Sequence, residues 1–214
     1  IQYPSATEPD VIREMIGAVS GCTINYNGIT SISEREPYLH YETLVGDTRP
    51  NHMLDYDELL FIKAEAAMNG WISGSAKEYY EAAIRASIGY WHGVDTSGAE
   101  LPESVIEAYL QNVAYDGTLR CIIEQKYIAL FWCGMEAWNE YRRTGYPELT
   151  IGSATSNDHI LPTRFEYPVN TSTTNPVNYA QAVARLAESW PGGGDNMRTP
   201  VWWSLQAARQ SQKP

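Results

Sequence analysis

The sequence predicts an all-α protein: an antiparallel helix pair, a long buried helix, and a loop-rich C-terminal wrap. Three observations carry that prediction. Two capping boxes start neighbouring helical patterns near residues 55 and 75, a run of helical periodicity extends from Thr118 to Pro147, and Pro, Asn, Thr, Ser and Gly dominate thereafter.

The first 52 residues are mixed, with a short helix expected at Glu8–Val19 and then Gly, Asn, Ser and Thr through Ser33. Arg49-Pro50-Asn51 leads into the first strong helix, where Asp55 and Glu58 have capping-box spacing and Leu60, Ala64, Ala67 and Trp71 mark one face. Asn69-Gly70 ends it. Ser75 and Glu78 open the second helix, whose stripe is Tyr80, Ala83, Ile84, Ser87, Ile88 and Trp91. The short Ile72-Ser73-Gly74 turn forces the two helices to be neighbours, and Ala64, Ala67, Ala83 and Ala86 let their axes approach closely. This is the unit of tetratricopeptide-type arrays. Ser104 with Glu107 forms a third capping box for a shorter helix to about Asn112.

The long pattern then begins with Thr118 as its cap. Ile123, Tyr127, Leu130, Ala137, Trp138 and Tyr141 form a stripe, and Ile128, Phe131, Trp132 and Met135 make the other face apolar too, so the helix is expected to be buried. Arg142 and Arg143 suit its negative end, Gly145 can take the left-handed conformation, and Pro147 stops resumption. Beyond it one helix is expected, from Val177 to about Glu188, with Phe165, Tyr167, Trp190, Trp202 and Trp203 pinning an irregular tail. The organisation is therefore one domain over 1–214: a loop-rich opening segment 1–52, a helical core 53–147 and a wrap 148–214.

Composition narrows the function classes. The 214 residues are 43% hydrophobic and 19% charged, as in a globular chain, and the net charge of -11 disfavours nucleic acid or an anionic membrane as partner. With 15 Tyr and 7 Trp against 3 Phe, many rings carry a polar atom, a bias that suits a neutral sugar ligand. Cys22, Cys121 and Cys133 lack metal-ligand spacing, and the latter two read as small core residues. His40, His52, His92 and His159 are scattered, and no metal, cofactor or nucleophile motif occurs. Gly192-Gly193-Gly194-Asp195-Asn196 is a loop that lacks both phosphate-loop and calcium-hand patterns.

Several runs in register give a resemblance. The Glu136-Ala137-Trp138 and Arg142-Arg143-Thr144-Gly145-Tyr146-Pro147 segments resemble the SusD/RagB family of outer-membrane nutrient-binding lipoproteins. So do Asp57–Trp71, Ser75–Ser87, the Leu161–Pro168 run, Asn175, Asn178 and Thr199–Trp203, in the same order. The resemblance implies a tetratricopeptide-like scaffold, non-catalytic capture of an oligosaccharide or other nutrient, and delivery to a TonB-dependent (SusC-like) transporter. It also implies a surface-exposed outer-membrane lipoprotein longer than this chain, so this sequence is expected to be a C-terminal portion; it contains neither a signal peptide nor a lipobox cysteine.

A sugar site needs an exposed ring flanked by hydrogen-bonding groups. Tyr26 beside Asn25 and Asn27, and Tyr38 and Tyr41 around His40 and beyond Arg35, fit that description, so Tyr26, Asn27, Tyr38 and Tyr41 are the ligand-binding candidates. Arg142 and Arg143 are better explained structurally, by the helix dipole and pairing with Glu136, Glu140 or Glu148. Three alternatives remain, one being that this chain is an inert structural half with ligand recognition in the missing N-terminal portion. Glu65, Glu124, Glu136 and Glu140 supply the carboxylates that an α-helical glycoside hydrolase would use in pairs. A tetratricopeptide-type interaction scaffold would need exposed polar residues on its concave helices, where this chain has alanines and aromatics.

Overall fold

The computed structural model describes residues 53–94, 100–152, 155, 160–205 and 207. Among them the regular structure is all helical, with no strand: α1 (Tyr56–Met68), α2 (Ala76–Val94), α3 (Glu103–Asn112), α4 (Leu119–Ala129), α5 (Gly134–Thr144), α6 (Thr171–Thr174), α7 (Pro176–Ser189) and a 3-10 turn at Trp202–Ser204. They form two compact units, and the division falls inside α5 between Glu140 and Tyr141.

The first unit is built on the antiparallel pair α1–α2, with α4 packed against α1 and, more lightly, α2, and with α3 against α2. Leu60, Phe61 and Ala64 of α1 meet Tyr80, Ala83 and Ile84 of α2, and Leu110 and Ile122 close the cluster. Ala64 and Ala83 are both fully buried, which fits the close approach that small residues permit. The Phe61 and Tyr80 rings meet edge to face at 6.3 Å. The buried Tyr80 hydroxyl donates to the carbonyl of Val113, the C-cap of α3, at 2.6 Å, so the phenol oxygen is not stranded in the core. Burial pushes the Tyr80 phenol well above its ordinary pKa.

The ends of the helices follow local chemistry, with instructive exceptions. Ser75 Oγ accepts the Glu78 N–H at 3.3 Å and Thr118 Oγ1 that of Cys121 at 3.1 Å, as the capping patterns require. Gly70 and Gly145 stop their helices at φ +73° and +80°. Asp55 occupies the N-cap of α1 without a side-chain cap bond; Asp57 Oδ1 instead accepts the Glu58 N–H at 2.9 Å. The Ser104 box does not form either. Pro102 is the N-cap of α3, and its first-turn Glu103 together with Glu107 grips Arg85 of α2, tying α3 down. Trp71 does not extend the buried face of α1: it lies past Gly70 and is 74% exposed.

The long helix expected from Thr118 to Pro147 is two helices. Phe131 N–H turns back to Ile128 O at 3.1 Å and Cys133 N–H to Leu130 O at 2.8 Å, Trp132 takes φ +76°, and α5 restarts at Gly134. The break redirects the second half of the stripe. Leu130 and Ala137 stay buried, whereas Ile128, Phe131, Trp132 and Met135 are exposed, and Cys121 and Cys133 are only half-buried rather than core residues. Tyr90, Trp91, Phe131 and Trp132 form a ladder of rings with successive centroids 5.3, 5.4 and 5.8 Å apart.

Beneath the break, Lys126 is 5% exposed, and its ammonium lies 3.5 Å from both Glu58 and Glu140. Desolvation raises the Glu58 pKa above 4.5 and outweighs the attraction of Lys126, with Glu136 and Glu140 adding to the rise. A carboxyl whose folded pKa is raised favours the fold when protonated, and this contribution is lost as pH rises through the folded pKa. Glu58→Gln should therefore flatten the pH dependence of stability from about pH 4.5 upward, and the variant should gain relative to wild type as the pH rises. Thermal unfolding at a series of pH values checks this; a gain on acidification instead would contradict it.

In the second unit the final turn of α5, the loops around 145–152 and 160–170, α6, α7 and the tail 190–205 are held by polar bonds more than by a large core. Asn175 N-caps α7, and its side-chain oxygen accepts from Asn178 Nδ2 at 2.8 Å.

Candidate functional site

The organising centre of the second unit is a buried ion pair that joins loop positions 31 residues apart. Arg164 is 7% exposed, and its Nη1 donates to Asp195 Oδ1 at 2.9 Å and to the carbonyls of Gly194 and Asn196 at 3.3 and 3.4 Å. Asp195 Oδ1 also accepts the Tyr167 N–H at 2.9 Å, and Oδ2 accepts the Tyr179 hydroxyl at 3.0 Å. Burial alone would raise the Asp195 pKa, but those two bonds and Arg164 outweigh it and hold the carboxyl below 3.8. The Arg164 guanidinium lies over the Tyr167 ring, 4.9 Å from its centroid.

The triple-glycine loop makes this possible. A Cβ on Gly193 would fall 2.2 Å from Leu186 O and 2.7 Å from Trp190 O, so only glycine lets the loop fold back onto the end of α7. Thr199, fully buried, then closes the turn: its Oγ1 accepts the Gly194 N–H at 2.9 Å. Asp195 thus serves the architecture of the loop rather than cation binding.

Beside this knot lies a cleft of about 750 Å³, within the range of small-molecule sites. Leu149, Ile151, Ile160, Leu161 and Trp190 give it apolar walls, and Tyr141, Arg142, Glu148, Thr163 and Arg198 supply polar groups. Arg142 is positioned from two sides: Nη1 donates to Thr163 O at 3.3 Å, and its guanidinium lies 4.7 Å from the centre of the Trp203 ring. Burial lowers its pKa. Glu140, one of the acids expected to pair with it, lies 3.5 Å from the Lys126 ammonium. Trp202 next door is 83% exposed. Guanidinium, hydroxyl and carboxylate groups beside apolar walls can grip a polyhydroxylated ligand.

The sequence candidates Tyr26, Asn27, Tyr38 and Tyr41 lie outside the described residues, as do Cys22, His40, His52 and His159. Of the candidate acids, Glu124 pairs with Arg120 at 2.7 Å and Glu140 with Lys126. Among the described residues no group of three His, Cys, Asp or Glu is arranged to hold a metal, and no helix is long and apolar enough to cross a membrane.

The SusD-like family, described as "Starch-binding associating with outer membrane", matches residues 3–168. The chain belongs to this family. Among solved structures it is similar to a chitin-binding protein, with 29% identity, TM-score 0.69, and coverage of 83% of this chain and 39% of that one. A SusD homologue from Bacteroides fragilis is 35% identical with TM-score 0.58, covering 72% of this chain and 35% of its own. One from Bacteroides thetaiotaomicron is 28% identical with TM-score 0.57, covering 73% and 39%. The chain thus spans less than two fifths of the length of these structures. No curated protein matches it.

Proposed function

We propose that the chain is part of a non-catalytic cell-surface protein that captures a glycan or related nutrient at the outer membrane and hands it to a TonB-dependent transporter. The observation that carries this reading is the family match over residues 3–168, supported by the similarity to a chitin-binding protein. Surface exposure and a lipid anchor belong to the same proposal. So does the working of the segments 1–52, 53–147 and 148–214 as one domain.

The placement of the carboxylates favours capture over cleavage. Glu58, a carboxyl whose pKa burial raises, borders a cavity of only about 10 Å³, too small to admit a glycosidic bond. Glu124 and Glu140 are paired with cations at 2.7 and 3.5 Å. A hydrolase would need a raised acid opposite a second carboxylate across an open cleft.

Ring stacking by Tyr26, Tyr38 and Tyr41, with Asn27 as a hydroxyl partner, remains the proposed ligand contact. Each Tyr→Ala change is expected to weaken oligosaccharide binding about fivefold, equivalent to about 1 kcal/mol. Unchanged affinity in all three would move the site elsewhere, the Arg142 cleft being the next place to mutate. Delivery is tested by affinity purification from the native outer membrane. Co-purification of a TonB-dependent transporter supports it, and recovery of the protein alone counts against it.

A further inference from the structure

The end of α1 leaves an indole outside the fold. Asn69 is the C-cap, Gly70 takes φ +73°, and the chain folds back on the helix: Gly70 N–H donates to Ala67 O at 3.0 Å and Trp71 N–H to Ala66 O at 2.9 Å. This is the bond pattern of a Schellman motif, in which the second residue past the C-cap commonly packs an apolar side chain on the last turn of the helix. The positions that would receive it here are Ala66, which is small, and Glu65, which carries a carboxyl. No apolar platform meets the indole from that turn, and Trp71 is 74% exposed.

The turn beneath the ring is fixed on both sides. Asn69 Nδ2 donates to Glu65 O at 3.0 Å, and Ser75 Oγ opens α2 by accepting the Glu78 N–H. Between them Gly74 takes φ +117°, and a Cβ there would fall 2.8 Å from Cε2 of the Tyr79 ring, over which the Lys63 ammonium lies 4.5 Å from the centroid. Residues 69–74 are all exposed, so Asn69 and Ser73 place an amide and a hydroxyl on the same surface turn as the indole. A pyranose needs this combination: a flat ring for its C–H face and polar groups for its hydroxyls. Because the backbone under Trp71 is already fixed, contact has only side chains to order, which lowers its entropic cost.

We propose that Trp71 is a sugar-stacking residue that holds one neutral pyranose of an oligosaccharide, with Asn69 and Ser73 as its hydroxyl partners. The assignment rests on the glycan-capture reading and adds a contact to it, independent of the loop tyrosines. The test is calorimetric titration of wild type, Trp71→Ala and Trp71→Phe with chitohexaose and maltohexaose, alongside thermal unfolding of each protein. Trp71→Ala should weaken binding of whichever sugar the wild type takes by about fivefold, and Trp71→Phe, which keeps a flat ring, should lose less. The ring buries little, so the Tm of both variants should stay within about 2 °C of wild type. Equal affinity in wild type and Trp71→Ala overturns the assignment and leaves the capture reading in place. A wild type that binds neither sugar overturns both. A fall in Tm of more than about 5 °C in Trp71→Ala would make the ring structural and overturns the assignment as well.

Discussion

Arg164→Ala is expected to lower stability by about 3–5 kcal/mol, because it leaves Asp195 as a buried charge without its partner. The side chains of this pair are only 8% and 13% exposed, so solvent cannot take over the lost role. The carbonyls of Gly194 and Asn196 lose a donor at the same stroke, and the loop that carries Trp190 to Thr199 loses its fixed point. Chemical denaturation of wild type and variant measures the loss, and limited proteolysis should show new cuts after Pro191. The double variant Arg164→Met/Asp195→Leu should recover part of it, since it removes both charges. Full recovery is not expected: removing Asp195 takes away the acceptor of the Tyr167 N–H and the Tyr179 hydroxyl. The pH dependence has a fixed sign. A carboxyl held below its ordinary 3.8 contributes stability that is complete above that value and is lost as the pH falls through the folded pKa. Arg164→Ala should therefore weaken the acid sensitivity of the second unit.

Phe61→Ala is the second large effect, again about 3–5 kcal/mol, but in the first unit. Phe61 is 1% exposed and packs edge to face on Tyr80, so truncation opens a cavity at the seam of α1 and α2, where the closely packed alanines leave little freedom to collapse. Phe61→Leu preserves most of the volume and should cost less than about 1.5 kcal/mol. Urea unfolding of the two variants separates the cases. A loss below about 1 kcal/mol for Phe61→Ala would mean that this seam is not the main core.

Where the sequence was readable, the reason is that the signal is local. Ser75 and Thr118 accept from amide groups three residues on, Gly70 and Gly145 lie directly past their helices, and α7 runs from Pro176 to Ser189 close to the expected span. The stripe on α2 was equally legible: Tyr80, Ala83, Ile84 and Ser87 are all buried.

The break between α4 and α5 was hidden by apolar residues on every face of the pattern. A continuous apolar surface reads as a buried helix, yet here it marks a change of direction that leaves Ile128, Phe131, Trp132 and Met135 at the surface. Cys133-Gly134 was the one local hint, since glycine weakens a helix interior. Ser104 misled for a related reason: three-residue spacing to Glu107 is necessary for a capping box, but the acids of α3 gain more from Arg85 on the adjacent helix. The Arg164–Asp195 knot had no local signature at all, because a glycine-rich loop shows its flexibility in sequence and not its partner 31 residues away. Arg142, read from the sequence as structural, donates to Thr163 O and lies over the Trp203 ring, contacts with no local signature in the sequence. The ligand candidates Tyr26, Asn27, Tyr38 and Tyr41 rest on sequence chemistry alone.

The most direct test of the proposed capture role is calorimetric titration of this chain, and of a longer protein extended at its N-terminus, with a panel of starch- and chitin-derived oligosaccharides. Product analysis of the same mixtures completes it. Saturable binding with the oligosaccharides recovered intact is the predicted result, and the chain that binds locates the site. Shortened products would contradict the account in favour of a helical glycoside hydrolase.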